Sequence, residues 1–357
     1  MATQALITGW GMYAPSKVLT NHDLSLMVDT SDEWILSRTG IRERRIAADD
    51  ETSTTLGAYA ARDALAVAGL DPLDLDLVIV ATCSPDYPIP ATGVLIARDI
   101  GATRAAGFDL SAACSGFVYA LATGASFIGS GMYRNVMVVG VEVMSRFIDW
   151  TDRNTCVLFG DGAGAVLLSA SDQPGGLLGF ELFSDGTGAE GIIVPGGGSA
   201  NPPSARSVAD GLHFLRMAGR DVYRYATRQL ADSALAAIAN AGLRPDDIDQ
   251  YLFHQANLRI MESVKTQLRI PDEKVYLNIA KYGNTSAASV PMALVEAVAA
   301  GRIQRGDRLM MVAFGSGYTA GAAVVEWTAD PARAFLAPGE QTRMGQPRRE
   351  AATLVPA

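Results

Sequence analysis

The chain has 357 residues, of which 49% are hydrophobic and 19% are charged, and its formal net charge is −9. This composition predicts a large packed core and excludes a disordered or fibrous chain. The negative charge argues against nucleic acid as the main partner, and the length allows either two domains or one duplicated unit.

The N-terminal segment, residues 1–16, predicts a strand followed by a turn that contains Gly and Pro. It lacks the basic start and the long apolar run of a secretory signal peptide. The three cysteines, Cys83, Cys114 and Cys156, have no spacing typical of metal ligands or of a disulfide framework. We therefore expect a cytoplasmic protein with free thiols and no metal site.

An internal repeat is visible in the sequence. Residues 63–80 (DALAVAGLDPLDLDLVIV) correspond to residues 236–253 (AAIANAGLRPDDIDQYLF), and Gly69 matches Gly242 at a separation of 173 positions. Each copy predicts an Ala-rich helix that ends at Gly, a turn with Pro and Asp, and an apolar strand.

The same separation relates two later segments, residues 111–121 (SAACSGFVYAL) and 284–294 (NTSAASVPMAL). An apolar strand is predicted after each of them, at 136–140 and at 309–315. Strands and helices that alternate in this way predict sheets covered by helices on both faces. Two unrelated α/β domains of similar composition are the alternative, but several matches in the same order favour duplication.

The repeat divides the chain into an N-terminal half (1–172), a C-terminal half (173–328) and a C-terminal extension (329–357). The extension contains Pro, Gly and charges without periodicity, and we expect it to be flexible. Residues 110–133 carry no charge, which is long enough for a membrane span. Because Gly, Ser and Ala are abundant there, we favour a helix buried within the protein and expect no membrane partner.

Cys114 is the first candidate for chemistry. It follows an apolar strand-like run and precedes a helix-like run, so the positive end of the helix dipole is expected to favour its thiolate. A thiolate can carry an acyl group taken from a thioester. A small buried hydrophobic residue is the alternative role, and this is the interpretation we give Cys156, which lies in an apolar run predicted to be a strand. Cys83 ends a strand and has no second feature that supports a function.

His254 and Asn284 are candidates from the second half. His254 follows a predicted strand, where an imidazole is suited to proton transfer or to donating to an oxyanion. Asn284 lies at a predicted helix start, where it is either a helix N-cap or a neutral donor to an enolate oxygen. A pseudo-twofold axis between the halves would bring both side chains close to Cys114. The Gly-rich run 314–317 adds backbone N–H donors, and we expect those of Ser316 and Cys114 to bind a thioester carbonyl.

Several motifs together resemble one known family, the β-ketoacyl-acyl-carrier-protein synthase III enzymes. The likeness extends over about residues 4–327 and is carried by five motifs, TSDEWILSRTGIRERRIA (30–47), DLSAACSGF (109–117), FGDGAGA (159–165), HQANLR (254–259) and GNTSAASVP (283–291). It implies a homodimer with the thiolase-like, five-layered αβαβα fold made of two duplicated halves. It also implies a catalytic Cys114–His254–Asn284 triad and no cofactor besides the substrate acyl-coenzyme A.

The resemblance assigns the substrates and their contacts. Cys114 would accept the acyl primer from acyl-coenzyme A and pass it to malonyl-acyl carrier protein, with loss of carbon dioxide. Trp34 and Arg153 match residues that sandwich the adenine of coenzyme A. Arg38 matches another coenzyme A contact, and Asn257 lies where the pantetheine arm passes.

The resemblance also assigns the carrier-protein surface and the primer pocket. Arg224 and Arg259 match a basic patch that receives the acidic carrier protein. Ile89 aligns near a bulkier aromatic residue that, in some members, reaches across the dimer and limits the primer. We therefore expect longer or branched primers to be accepted. Ser316 replaces a Gly found in many members, which is compatible with use of its N–H alone.

Two other functions remain open. A condensing enzyme or acyltransferase of secondary metabolism would keep Cys114 but pass the acyl group to another nucleophile. A non-catalytic protein that binds acyl groups or coenzyme A belongs to a different class, and the complete set of candidate side chains argues against it.

Overall fold

A computed structural model of the chain describes residues 3–332. The C-terminal extension, residues 329–357, was predicted to be flexible, and its part from position 333 onward lies outside the described residues. The strands of the described part are β1 (Gln4–Tyr13), β2 (Lys17–Thr20), β3 (Glu43–Ile46), β4 (Leu77–Ala81), β5 (Ala106–Leu110), β6 (Asn135–Glu142), β7 (Gly162–Ser171), β8 (Gly176–Phe183), β9 (Ile192–Ile193), β10 (Arg216–Met217), β11 (Gln250–Phe253), β12 (Arg308–Gly315) and β13 (Thr319–Glu326).

The helices connect these strands. They are α1 (Asn21–Ser25), α2 (Asp32–Thr39), α3 (Ser53–Ala68), α4 (Thr92–Ile100), α5 (Gly116–Gly129), α6 (Ala205–Ala209), α7 (Gly219–Asn240), α8 (Leu258–Leu268), α9 (Ile279–Tyr282) and α10 (Ser289–Ala299). Within residues 3–332 no helix has both the length and the apolar character needed to cross a bilayer. The uncharged stretch 110–133 contains α5, which has only 14 residues and is largely buried.

Two sheets organise the molecule, and each is built from one half of the chain. The first has the order β1-β7-β6-β4-β5 and the second has the order β8-β13-β12-β11. In the first sheet β6, β4 and β5 are parallel to one another, whereas β7 is antiparallel to both of its neighbours, β6 and β1. The second sheet repeats this pattern strand for strand, and an isolated parallel bridge from Tyr251 to Val275 lies where β5 has its counterpart.

The strands of both sheets are apolar because helices cover both faces. All residues of β4 and β11 are buried, as expected for the parallel part of a covered sheet. Helices α3 and α4 pack on the outer face of the first sheet and α7 on the outer face of the second, while α5 and α10 lie between the sheets. This arrangement has five layers, α–β–α–β–α, which confirms the predicted fold. The predicted boundary at residues 172 and 173 lies between β7 and β8, and we keep it as a proposal.

The two inner helices begin in equivalent turns. A 3₁₀ turn at Ala113–Ser115 precedes α5, and a second one at Ser286–Ala288 precedes α10. Each turn packs against a glycine of the other half. A Cβ atom on Gly315 would lie 2.6 Å from the Cys114 amide nitrogen, and a Cβ atom on Gly140 would lie 2.3 Å from the carbonyl oxygen of Ala287. The absence of side chains at these strand ends thus lets the inner helices start at the interface between the halves.

Candidate active site

A cavity of about 590 Å³ opens between the two halves. Cys114 comes from the turn before α5, His254 from the end of β11 and Asn284 from the segment before α10, and all three line the cavity. Cys114 is 140 positions from His254 and 170 positions from Asn284 in the sequence, and the fold brings the three residues to one cavity, as the duplication predicts. His254 is only 4% exposed, so its chemistry takes place deep inside the protein.

Burial dominates the chemistry of Cys114. The pKa of the Cys114 thiol is raised to about 12, mainly by desolvation; the nearby Ser286 side chain lowers it and the buried Glu142 carboxylate raises it by smaller amounts. This burial opposes the effect expected from the helix start and favours the protonated thiol in the unliganded protein. The resting nucleophile is a protonated thiol, which must lose its proton as it attacks.

His254 is held as a neutral imidazole. Its backbone N–H donates to the Val312 carbonyl at 2.8 Å, which fixes the residue after β11. Burial lowers the pKa of His254 to about 3. The buried Nδ1 atom has no hydrogen-bond partner among residues 3–332. Because an orphaned buried N–H is rarer than an orphaned acceptor, we assign the proton to Nε2, where it can be donated into the cavity.

Asn284 is fixed by its backbone and by one side-chain atom. Its N–H donates to the Leu158 carbonyl at 2.8 Å, and its carbonyl accepts from Gly160 N–H at 3.0 Å. The Oδ1 atom accepts from the Ser286 N–H at 2.9 Å. The side chain thus stabilises a local turn, but it is not a helix N-cap, since the residues at those positions are Thr285 and Ala288. This contact leaves the Nδ2 donor for a ligand in the cavity.

Glu142 is a buried acid that the sequence analysis missed. It ends β6 with no exposed surface. Its Oε1 accepts from Ser286 Oγ at 3.0 Å and from Cys83 Sγ at 3.2 Å, and its Oε2 accepts from Ser84 Oγ at 2.5 Å. Burial raises the pKa of Glu142, and these donors offset part of the shift. An acidic residue at the end of the apolar run 135–142 was the available signal.

Cys83 also lines the cavity, although no sequence feature beyond its place at a strand end pointed to a function. It has exposed surface, and desolvation of its thiol raises the pKa well above the usual value. Its Sγ lies 3.9 Å from Ser286 Oγ. Cys156, in contrast, is buried as predicted but lies in a turn rather than in a strand.

Residues predicted to contact coenzyme A lie around one end of the cavity. Trp34, Arg38 and Asn257 line it, and the Arg38 guanidinium carbon lies 5.5 Å from the centroid of the Trp34 ring. Arg153 lies over the same ring at 5.2 Å. Asn257 has a structural task as well, because its side chain accepts from the Arg259 N–H at 2.9 Å and caps α8.

The remaining predicted residues divide into two groups. Arg259 and Ser316 line the cavity, and Arg259 Nε donates to the Ser37 carbonyl at 3.1 Å. Arg224 lies outside the cavity on the exposed face of α7, 3.2 Å from Asp221. Ile89 is 87% exposed and does not line the cavity. A single chain therefore does not bring Ile89 to the primer site.

The rest of the cavity is mainly apolar. Its apolar lining comes from several elements: Met144, Val157, Phe159, Ile192, Leu215, Met217, Val222, Ala226, Leu230 and Phe314. A pocket of this kind suits an acyl chain. The part of the chain that the structure describes contains no group of three or more His, Cys, Asp or Glu side chains suited to holding a metal ion.

Comparison with known proteins gives one consistent result. Residues 108–186 match the family model of 3-oxoacyl-(acyl-carrier-protein) synthase III, and residues 238–327 match the model of its C-terminal part. The β-ketoacyl-(acyl-carrier-protein) synthase III of Roseiflexus sp. (strain RS-1) is 52% identical over 329 residues, which cover 92% of this chain and 100% of the relative. That of Desulfitobacterium hafniense (strain DSM 10664 / DCB-2) is 51% identical over 90% of this chain and 97% of the relative.

Solved structures agree with these relatives. The 3-oxoacyl-(acyl-carrier-protein) synthase III of Aquifex aeolicus VF5 has a TM-score of 0.84 at 44% identity, covering 91% of this chain and 100% of that one. The priming β-ketosynthase of the R1128 polyketide biosynthetic pathway has a TM-score of 0.86 at 38% identity, covering 92% and 98%.

Proposed function

The chain belongs to the 3-oxoacyl-(acyl-carrier-protein) synthase III family of acyltransferases, and on this premise we propose its substrates and the role of each site residue. Cys114 takes an acyl primer from acyl-coenzyme A. The acyl group is then condensed with malonyl-acyl carrier protein, and the 3-oxoacyl product starts fatty-acid synthesis. The observation that carries the proposal is the single cavity shared by a thiol, a neutral imidazole and a carboxamide.

The first half-reaction is transfer of the primer. The Cys114 sulfur attacks the thioester carbon, and the backbone N–H groups of Cys114 and Ser316 bind the oxyanion that develops on the carbonyl oxygen. The carbon–sulfur bond to coenzyme A then breaks, the electron pair leaves with the coenzyme A sulfur, and the proton given up by the Cys114 thiol balances the one that this sulfur takes up. One thioester replaces another, so the step is nearly balanced in free energy.

The second half-reaction needs an enolate. His254 Nε2 and Asn284 Nδ2 donate to the thioester carbonyl of the malonyl group, and loss of carbon dioxide leaves its electrons on the enolate. A neutral imidazole suits this role, because it donates a hydrogen bond without protonating the carbanion. The carbanion attacks the Cys114 thioester, the carbon–sulfur bond breaks, and the Cys114 sulfur takes a proton from water to become a thiol again. The substrates, these side chains and this proton account for every bond change, so we propose no resident cofactor.

The substrates would enter at the end of the cavity that Trp34 and Arg38 line. Adenine would stack between Trp34 and Arg153, and the pantetheine arm would pass Asn257 toward Cys114. The carrier protein is acidic in this proposal and docks on Arg224 and Arg259, whose charges act locally despite the negative net charge of the chain.

We also propose a cytoplasmic homodimer. Strand β5 is the outer strand of the first sheet, and Tyr87 and Ile89 expose apolar side chains in the connection that follows β4. A free strand edge beside apolar side chains is a surface that a second copy covers well. The three free thiols suit a reducing compartment. Light scattering on wild type and Ile89→Lys tests the dimer, since a buried lysine would shift the mass toward that of one chain.

A panel of acyl-coenzyme A primers tests the function. Wild type should gain the mass of the acyl group on Cys114 and release carbon dioxide once malonyl-acyl carrier protein is added. Cys114→Ala should gain no such mass. Binding of acyl-coenzyme A without any adduct would instead support a non-catalytic binding protein. An adduct that malonyl-acyl carrier protein does not discharge, but a hydroxyl or amine acceptor does, would support the acyltransferase of secondary metabolism.

A further inference from the structure

Two hydroxyl groups join the turns that carry the proposed oxyanion donors. The Cys114 N–H belongs to the turn Ala113–Ser115, and the Ser316 N–H belongs to the turn between β12 and β13. Ser115 Oγ donates to Thr319 Oγ1, on the first residue of β13, at 2.7 Å. Neither hydroxyl residue lines the cavity between the described halves, so an effect of either on the reaction must pass through other groups.

The Thr319 hydroxyl contacts both of these turns. Its Oγ1 atom lies 2.9 Å from the Ala112 carbonyl oxygen and 3.1 Å from the Ser316 carbonyl oxygen. Because a hydroxyl has one proton and two lone pairs, Thr319 can donate to the Ser316 carbonyl while it accepts from Ser115. The Ala112 carbonyl keeps a donor in this arrangement, since it accepts from the Ser115 N–H at 3.2 Å. One hydroxyl therefore links the first half of the chain to the second.

The backbone of both turns is strained. Ala113, which immediately precedes Cys114, has a φ angle of 48°, and Tyr318, which immediately precedes Thr319, has a φ angle of 45°. This left-handed conformation is unfavourable for residues other than glycine. It persists only where the surrounding structure determines it. The turns that carry the oxyanion donors therefore depend on contacts such as those of Thr319.

The two turns touch beside the nucleophile. A Cβ atom on Gly315 would lie 2.6 Å from the Cys114 amide nitrogen. The Ser316 N–H, on the residue that follows Gly315, is thereby close to the Cys114 N–H. The Ser316 side chain is held separately, because its hydroxyl donates to the Ile192 carbonyl. The bond from Thr319 to the Ser316 carbonyl fixes the backbone of the same residue.

We propose that Thr319, supported by Ser115, is a positioning residue for the oxyanion hole formed by the N–H groups of Cys114 and Ser316. This inference rests on the proposed function and deepens it. Donors of this kind stabilise a transition state only when they are held at hydrogen-bond distance from the oxygen that becomes charged. Coenzyme A itself has a thiol and no thioester carbonyl, so its binding does not use the hole. Thr319 therefore acts on acyl transfer and not on recognition of the nucleotide.

The test separates the acyl oxyanion from the enolate. In the proposed function the acyl carbonyl uses the hole that Thr319 supports, whereas decarboxylation of malonyl-acyl carrier protein uses His254 and Asn284. Thr319→Val removes the hydroxyl and keeps the shape of the side chain. We expect acylation of Cys114 by acetyl-coenzyme A, followed by mass spectrometry of rapidly quenched samples, to slow by about 10- to 100-fold.

Two further measurements on Thr319→Val exclude a general loss of structure. The Kd of coenzyme A should stay within about twofold of that of wild type, because an interaction made only in the transition state does not contribute to ground-state binding. Release of carbon dioxide from malonyl-acyl carrier protein, added without a primer, should change by a factor about tenfold smaller than acylation does.

The conservative variant and a matched control complete the comparison. Thr319→Ser restores the hydroxyl and should recover most of the acylation rate. Thr123→Val removes another half-buried threonine hydroxyl, which donates to the Tyr119 carbonyl at 2.8 Å within α5 and contacts neither turn. This control should acylate Cys114 as fast as wild type.

Thr319→Val leaves no buried donor without a partner, because Ser115 Oγ can donate to the Ala112 carbonyl at 2.7 Å instead. If the variant nevertheless fails to fold, Ser115→Ala tests the same link from the other turn. We expect its acylation to slow by about tenfold with the Kd of coenzyme A retained. Acylation by Ser115→Ala at the wild-type rate would then decide against the link.

The outcomes separate this inference from the proposed function. Acylation by Thr319→Val at the wild-type rate would overturn the inference, and so would equal losses of acylation and of carbon dioxide release. Failure of Thr319→Ser to recover acylation would show that the hydroxyl is not the cause, and would overturn it as well. If wild type formed no adduct with acetyl-coenzyme A, the proposed function itself would be overturned.

Discussion

Ala113 and Ser286 occupy equivalent turns in the two halves of the chain, and each has a φ angle of 48°. Residues other than glycine pay about 1–2 kcal/mol for this left-handed conformation. Two such turns persist because each is packed against the opposite half, through Gly315 for the first and Gly140 for the second. The direction in which Cys114 enters the cavity is thus set by the contact between the halves.

The contact of Gly315 with the nucleophile turn gives a first prediction. A Cβ atom in Gly315→Ala would lie 2.6 Å from the Cys114 amide nitrogen and 3.1 Å from the Ala113 side chain. Because backbone atoms cannot move aside cheaply, we expect a loss of about 1–3 kcal/mol in the free energy of unfolding. Acylation of Cys114 should slow by about 100-fold, as for a 1 Å misplacement of a reacting group.

Urea unfolding and the rate of adduct formation measure the two effects. Gly129→Ala is the control, because a Cβ atom there meets nothing within 4 Å. It should leave both quantities close to those of wild type. Normal acylation by Gly315→Ala would show that the turn adapts, and that the position of Cys114 does not depend on this contact.

The duplication explains which parts of the site the sequence could predict. Ala113 and Ser286 are separated by the same 173 positions as the repeat, so the approach of Cys114, His254 and Asn284 followed from the pattern. Glu142 did not follow from it. A single acid at the end of a strand is typically solvated, and its donors come from segments that are distant in the sequence. The protonation of Cys114 could not be predicted either, because burial outweighs the local helix start.

The stacking arrangement of Trp34 and Arg153 gives a second prediction. The guanidinium carbon lies 5.2 Å from the ring centroid, and Arg153 Nη1 donates to the Asp29 carbonyl at 2.8 Å. A ring inserted between Trp34 and Arg153 needs two van der Waals separations, about 7 Å in total. Adenine can therefore enter only if Arg153 moves outward. Loss of the stack in Trp34→Ala should cost about 1–3 kcal/mol, or roughly 5- to 150-fold in KM for acyl-coenzyme A.

The comparison with acyl-pantetheine isolates this effect. That donor carries the same thioester but no adenine, so its kcat/KM should be equal in wild type and Trp34→Ala. Equal losses with both donors would show that Trp34 supports the fold of the cavity rather than the nucleotide.

The burial of His254 predicts a pH dependence of stability. Its pKa is lowered to about 3 in the folded protein, whereas an unfolded His titrates near 6.5. The unfolded chain therefore binds a proton between these values that the native protein does not. The stabilisation is fully present above about pH 6.5 and falls by about 1.4 kcal/mol for each pH unit below it.

Urea unfolding of wild type and His254→Asn at about pH 7, 6 and 5 tests whether stability falls as the pH is lowered. The stability of wild type relative to the variant should fall on acidification, because the variant has no imidazole to protonate at this position. Buried acids such as Asp161 titrate in both proteins and cancel in the difference. His22→Asn, at an exposed position, should keep the wild-type slope. A difference between wild type and His254→Asn that is constant over this range would mean that the site admits a protonated imidazole.

The last prediction concerns the length of the primer, which either Ala226 on α7 or Ile89 could limit. Val222, Ala226 and Leu230 lie one helical turn apart on α7 and line the cavity. In Ala226→Phe a ring would occupy this apolar space, so acetyl-coenzyme A should remain a substrate while hexanoyl- and octanoyl-coenzyme A are lost. Leu235→Phe, at an exposed position of the same helix, should keep the wild-type profile.

Ile89 acts on the primer only if a second chain carries it into the cavity, since it is exposed and does not line the cavity of its own chain. We expect Ile89→Phe to reduce kcat/KM for branched and longer primers relative to acetyl-coenzyme A. The wild-type Ile89 side chain is smaller than Phe and leaves room for the primer, so wild type should accept branched and longer primers. If Ile89→Phe left the primer profile unchanged while Ala226→Phe shortened it, the acyl chain would lie wholly within one subunit. The primer length would then be set by α7 and not by the partner.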